Sequence, residues 1–175
     1  MARHGGRLEK AIMAASDFTL ATSSQLVKLK SQWAGKTFYL PNAANFEHFQ
    51  KYLERGIFEN LENVDGQKKV IGYIGNICHR IDYELLSSTI KGHKDKTFLF
   101  VGPVSAPEAK TSGIMDMPNT VFTGSKNMGD LPKYLYHMDC TIIPFKQNKL
   151  TQSIYPLKIN EYLSMGKPVV STFFS

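Results

Sequence analysis

Lys158 and Glu161 stand three residues apart in the stretch Tyr155-Pro156-Leu157-Lys158-Ile159-Asn160-Glu161-Tyr162-Leu163-Ser164-Met165-Gly166-Lys167-Pro168-Val169-Val170-Ser171. That spacing puts a cation and a carboxylate on one face of a helix, with Leu157, Tyr162, Leu163 and Met165 free to pack. Pro156 suits the first helical turn, Gly166 and Pro168 end it, and Val169-Val170-Ser171 resumes as a strand. An ammonium can face a phosphate, and a carboxylate one turn on can accept from the two hydroxyls of a ribose, so the pair suits a nucleotide. For the isolated helix a solvated Lys–Glu pair, worth about 0.2–0.5 kcal/mol, is the better reading. The surrounding elements have to decide between them.

Those elements alternate from residue 68 onward. Lys69–Gly75 is an apolar strand, Asp82 can cap a helix carrying Leu85, Leu86 and Ile90, and Thr97–Val101 is the next strand. Asn119–Thr123 is a third, Asp130 precedes a helix with Leu131, Tyr134, Leu135 and Met138, and Cys140–Phe145 is a fourth. Continuous apolar strands between amphipathic helices predict a doubly wound α/β domain with a Rossmann-like parallel sheet. The crossover between Val104 and Pro118 is a poor helix and reads mostly as loop. Before this domain, Phe18–Ala21 and Thr37–Leu40 read as strands flanking a helix capped by Ser24, a small α/β piece spanning residues 1–45. Residues 46–67 read as a connecting segment, and 68–175 as the main domain, cut short after its last strand.

In open doubly wound sheets a ligand lies beyond the carboxyl ends of the strands, where strand order reverses. With the usual order, the first strand of this domain neighbours the fourth. Asn76-Ile77-Cys78-His79-Arg80 then faces Lys146-Gln147-Asn148-Lys149, with the Lys158 helix opening directly after. Arg80, Lys146, Lys149 and Lys158 beside helix N-termini make a reasonable diphosphate cluster. Each of these charges taken singly reads more readily as a solvated surface group.

Composition narrows the class. A chain of 175 residues with 42% hydrophobic content can bury a core, and no apolar run approaches the roughly 20 residues of a membrane span. A cytoplasmic address is expected. Cys78 and Cys140 are too few for a disulfide framework and lack metal-type spacing, so both are expected to be reduced and no metal site is implied. The net charge of +6 suits anionic partners, yet the lysines are dispersed without a nucleic-acid motif. Gly72-Tyr73-Ile74-Gly75 is neither G-x-G-x-x-G nor a P-loop, which argues against a nicotinamide or flavin oxidoreductase and a P-loop NTPase.

Four motifs in order carry a resemblance. They are Gly72-Tyr73-Ile74-Gly75 with Arg80, Asp82, Leu85 and Leu86; Phe100-Val101-Gly102-Pro103-Val104; Val121-Phe122-Thr123-Gly124 with Leu131-Pro132; and Ile143-Pro144-Phe145 leading to Pro156-Leu157-Lys158, Glu161-Tyr162-Leu163 and Gly166-Lys167-Pro168-Val169-Val170-Ser171. Together they resemble the C-terminal, donor-binding domain of GT-B glycosyltransferases, particularly bacterial ones related to family four. Ser16–Ser23 and Pro41-Asn42-Ala43 with Phe46 and Phe49 resemble the end of such an enzyme's N-terminal, acceptor-side domain and the hinge after it.

The resemblance implies a glycosyltransferase fragment that binds a UDP- or GDP-sugar donor. Transfer would be to a saccharide or lipid-linked acceptor in bacterial cell-surface polysaccharide assembly, at the inner face of the membrane, where a peripheral contact stays open. It implies that Arg80 and Lys158 face the diphosphate as catalytic groups, that Glu161 binds the ribose, and that Gly124 and Ser125 border the base. Asn76, Ser153, Pro156 and Leu157 complete the implied substrate contacts. Many relatives carry a glutamate near the position of Ser153, which lies eight residues before Glu161. That glutamate contacts the donor sugar, so neither the sugar nor a retaining outcome is implied here. No cofactor is implied beyond the donor itself. The alternatives are a sugar-nucleotide epimerase of the same architecture, which would release no free nucleotide in response to an acceptor, and a non-catalytic nucleotide- or polyanion-binding module, whose binding would fall steeply with salt.

Overall fold

Five apolar segments of the chain form the sheet that organises the larger part of the structure. The computed structural model describes residues 2–56 and 58–173; Met1, Ile57, Phe174 and Ser175 lie outside the described residues. The chain divides into one unit of residues 1–42 with 148–156 and another of residues 43–147 with 157–174.

The first unit holds helix α1 (Ala2–Ala15), strand β1 (Thr19–Ala21), helix α2 (Ser24–Lys30) and strand β2 (Thr37–Tyr39). β1 and β2 pair in parallel, with Thr19 opposite Thr37, and α2 is the crossover. The cap of α2 is Ser23 and not Ser24: the Ser23 hydroxyl accepts from the Leu26 amide at 3.2 Å, while Ser24 is already the first helical residue. Two adjacent serines offer the same chemistry, and only backbone conformation decides which one caps. The Ser23 hydroxyl also donates to the Ser153 carbonyl (2.9 Å), and the Asn42 side chain donates to the Tyr155 carbonyl (2.8 Å). These bonds hold the segment 148–156 within this unit.

The second unit contains helix α3 (Phe46–Glu54), then β3 (Val70–Ile74), α4 (Tyr83–Gly92), β4 (Thr97–Val101), α5 (Glu108–Thr111), β5 (Thr120–Phe122), α6 (Leu131–Tyr136), β6 (Cys140–Ile143), α7 (Leu157–Ser164) and β7 (Val169–Ser171). All five strands are parallel in the order β5-β4-β3-β6-β7, the doubly wound α/β sheet expected. The chain runs outward from β3 through β4 to β5, then returns to the other side of β3, so the order reverses between β3 and β6. β4 is buried at every position, as a central strand read as an unbroken apolar run should be.

Asp82 caps α4 by accepting from the Leu85 amide at 3.0 Å. The β4-to-β5 crossover contains only α5 and a 3-10 turn at Ile114–Asp116, in keeping with its poor helical pattern. α6 ends at Tyr136, so Met138 falls after the helix, where its thioether fills the space over Gly72. Within residues 46–67, Phe49 is 3% exposed and belongs to the core of this unit, with Tyr52, Leu53, Leu61 and Val64 packed against it. Cys78 and Cys140 are both free thiols. No helix among the described residues is long and apolar enough to cross a membrane.

Candidate functional site

β3 and β6 are hydrogen-bonded only at their lower halves, where Ile71 lies opposite Cys140 and Gly72 opposite Thr141. Above that point the strands separate, exposing the β6-facing amide and carbonyl of Ile74. The phenol of Tyr162, on α7, takes the place of the missing rung: it accepts from the Ile74 amide at 2.8 Å and donates to the Ile74 carbonyl at 3.4 Å. The side chain is fully buried. α7 is thus pinned to the end of β3 by the residue next to Glu161, while Gln50 of α3 holds its far end through the Ser164 carbonyl (2.5 Å). Removing only the hydroxyl, in Tyr162→Phe, leaves two buried main-chain groups unsatisfied. A loss of about 1–3 kcal/mol in unfolding free energy is expected, measured by urea denaturation.

The loops above the two strands then rejoin. The Asp82 amide donates to the Pro144 carbonyl (2.8 Å), the Lys146 amide donates to the Arg80 carbonyl (2.8 Å), and Ile81 forms an antiparallel bridge with Phe145. The loop after the first strand of this unit and the loop after the fourth therefore do face each other, and Arg80 is fixed at their junction.

The carboxyl edge of the sheet is lined by glycine backbone. Gly75, Gly102 and Gly124 follow β3, β4 and β5. The Gly75 amide donates to the Val101 carbonyl (2.8 Å) and the Gly102 amide to the Gly124 carbonyl (2.9 Å). Gly75 (φ +136°) and Gly102 (φ +142°) adopt backbone angles that side-chain-bearing residues rarely take. A Cβ on Gly102 would lie 2.2 Å from the Gly75 carbonyl oxygen; one on Gly75 would lie 3.1 Å from Lys158 Cε and 3.2 Å from its Nζ.

Lys158 therefore lies directly over the backbone of Gly75. Its ammonium is 5.1 Å from the centre of the Tyr73 ring and 5.2 Å from that of Phe145. A cation held against two ring faces gains about 0.5–2 kcal/mol per contact, more where water is excluded. Lys158 and Glu161 form no ion pair among the described residues; the solvated-pair reading of this helix does not hold. Burial pushes the Lys158 ammonium below the ordinary lysine value and the positive charge of Arg80 adds to that, while Glu161 and Cys78 oppose it. Burial also raises the Glu161 carboxyl, against the pull of Lys158. Lys158 feels a second cation, Arg80, as well as one carboxylate, Glu161, and with all three partly withdrawn from water an anion beside Lys158 and Arg80 would offset their positive charge.

The remaining site residues from the sequence distribute as follows. Asn76 adjoins Gly75, and its side-chain oxygen accepts from Ser105 at 2.7 Å. Gly124 and Ser125 are exposed after β5, two strands away from β3. Leu157 opens α7 and is 42% exposed. Pro156 precedes the helix and, with Lys149 and Ser153, belongs to the other unit; the Ser153 hydroxyl donates to the Lys149 carbonyl at 3.4 Å. His93 and His137 hydrogen-bond carbonyls beside helix ends, His93 to Thr89 (2.9 Å) and His137 to Glu59 (2.8 Å). Sequence reasoning did not assign Tyr73, Tyr162 or Gly102 to the site. The one available signal was that three apolar strands each end in glycine, at Gly75, Gly102 and Gly124.

Residues 68–174 match the family described as glycosyl transferases group 1. The chain belongs to that family. Among curated proteins, the chain is 30% identical over 141 residues to Bacillus subtilis (strain 168) TuaH, named as a teichuronic acid biosynthesis glycosyltransferase. The match covers 78% of this chain and 34% of TuaH. Among solved structures, the chain is similar to sucrose-phosphate synthase from Thermosynechococcus elongatus, with a TM-score of 0.72 and 19% identity over 97% of this chain and 44% of the other. It is also similar to WaaG, a glycosyltransferase involved in lipopolysaccharide biosynthesis (TM-score 0.67, 15% identity, 98% and 49% covered), and to Anabaena HepE, solved with UDP and glucose (0.64, 14%, 98% and 48%). The chain thus spans about a third of the length of TuaH and under half that of these solved structures. The GT-B resemblance read from the four motifs is borne out by the family match and the shared fold.

Proposed function

We propose that the chain carries the donor site of a glycosyltransferase that uses a nucleotide-diphosphate sugar in bacterial cell-surface polysaccharide assembly. The observation that carries this reading is the pair of partly buried cations, Arg80 and Lys158, set at the reversal point of the sheet with Glu161 on the same helix face as Lys158. The strand ends there offer backbone without side chains, which lets a ligand approach closely. The name of TuaH and the UDP bound to Anabaena HepE support the same chemistry.

Arg80 and Lys158 compensate the charge that grows on the leaving nucleotide diphosphate as the glycosidic bond breaks. Glu161 accepts from the ribose hydroxyls; the backbone at Gly124 and Ser125 borders the base. Acceptor recognition is assigned to the domain of which residues 1–45 form the end. No role here calls for a cofactor.

Calorimetric titration with UDP and with GDP tests the reading. One of the two is expected to bind, and Glu161→Ala to weaken it about 10-fold or more, the cost of hydrogen bonds to a charged acceptor. Binding of neither nucleotide, or an affinity indifferent to Glu161, would sink the assignment.

A further inference from the structure

We infer that Tyr73 is a positioning residue for Lys158: its ring face, together with that of Phe145, holds the ammonium over the bare backbone of Gly75, where it can meet a diphosphate. The inference rests on the donor-site reading and adds to it the question of what keeps a lysine in place before any ligand arrives.

Lysine carries four side-chain torsions and ordinarily samples many rotamers, a freedom that binding would have to remove. Here the geometry removes it in advance. Lys158 Cε and Nζ would meet a Cβ on Gly75 at 3.1 and 3.2 Å, and the Tyr73 hydroxyl would meet it at 3.5 Å, so the three residues converge on one point at the end of β3. The ring centres of Tyr73 and Phe145 lie at nearly equal distances from the ammonium, 5.1 and 5.2 Å. Tyr73 lies on β3 and Phe145 two residues past the end of β6, on the two sides of the reversal point, and both are almost completely buried.

Tyr73 is itself fixed. Its hydroxyl donates to the Asn76 carbonyl at 3.1 Å, across the turn that contains Gly75. Burial holds the phenol far above the ordinary tyrosine value, so it remains a donor. The charged and titratable groups that act on Lys158 are Arg80 and Cys78 from the loop after β3 and Glu161 from α7, and none of them forms an ion pair with it among the described residues. An ammonium held by ring faces keeps its N–H groups available. One held by a carboxylate would have to give that partner up.

The experiment separates the ring contact from ligand binding. With 13Cε-lysine labelling, and Lys158→Arg to assign the signal, the Lys158 ε resonances of the unliganded protein are expected upfield of the lysines that face no ring, because of ring currents from Tyr73 and Phe145. The shift should survive Tyr73→Phe, which keeps the ring, and fall by about half in Tyr73→Leu, where only the Phe145 ring remains at comparable distance. UDP or GDP affinity should follow the same pattern, falling about threefold or more in Tyr73→Leu and little in Tyr73→Phe. If Tyr73→Leu fails to fold, nuclear Overhauser contacts between the Lys158 ε protons and the Tyr73 ring in the unsubstituted protein decide the point. An ordinary Lys158 shift without such contacts overturns the inference, as does an affinity unchanged in a folded Tyr73→Leu. A shifted Lys158 in a protein that binds neither nucleotide overturns the donor-site reading instead, and the positioning role with it.

Discussion

Lys158→Met is expected to weaken UDP or GDP binding about 10- to 100-fold while leaving the stability of the unliganded protein unchanged or slightly raised. The two directions come from one arrangement. In the free protein Lys158 is withdrawn from water beside another cation, Arg80, and neither of these disfavours neutralising it. An apolar side chain of similar length keeps the contacts with Tyr73 and Phe145 and removes the repulsion. In the complex the ammonium would meet two negatively charged phosphates, and a charge-assisted hydrogen bond of that kind contributes about 1.5–3 kcal/mol. Lys158→Arg should not restore affinity, because a planar, delocalised guanidinium does not present its charge as the compact ammonium does against Tyr73, Phe145 and the Gly75 backbone. Calorimetry gives the affinity and urea denaturation the stability. Equal nucleotide binding by the wild type and Lys158→Met would remove Lys158 from the site.

Gly102→Ala should cost about 2–5 kcal/mol of stability, the largest loss expected from adding one methyl group anywhere along the sheet edge. Two terms combine. The φ of +142° is strained for any residue with a Cβ, and the added carbon would stand 2.2 Å from the Gly75 carbonyl oxygen and 2.7 Å from its carbon. Both obstacles are backbone within a paired sheet, so they cannot swing aside like the end of a flexible side chain. Gly92→Ala is the control: Gly92 is the last residue of α4 and has nothing within 4 Å of an added Cβ. There the change should be neutral or slightly favourable. Comparison of urea midpoints at equal slope measures both. A Gly102→Ala loss within about 0.5 kcal/mol, the range of ordinary surface changes, would show that β3 and β4 can separate at their ends. Because Gly75 supports Lys158, the same substitution should also lower nucleotide affinity in whatever fraction remains folded.

Much of the fold was legible because its signals are local. The alternation of apolar strands with amphipathic helices required only side-chain periodicity, and the strand order followed from the general behaviour of doubly wound sheets. Asp82 could be read as a cap because one residue offered the right acceptor at the start of a helical pattern. Ser23 could not be told from Ser24 for the opposite reason. α1 left a weak trace, since Gly5 and Gly6 dilute its helical propensity. Met138 belonged to the helical period on paper, yet the helix stopped at Tyr136 and the thioether went to fill the space over Gly72.

The sequence by itself determined that Lys158 and Glu161 share a helix face, that this helix follows the fourth strand of a parallel sheet, and that three of the strands end in glycine. Each of these depends on spacing along a few residues, where helix and strand geometry leave little choice. Only the tertiary structure decided what the lysine does. Its ring partners come from two separate places in the chain, Tyr73 on β3 and 85 positions away, Phe145 just past β6 and 13 positions away. They meet it only because β3 and β6 part above Gly72 and Tyr162 fills the missing rung. Periodicity specifies which face a side chain takes. Which residue meets it there depends on where two strands stop pairing, and no short stretch of sequence records that point.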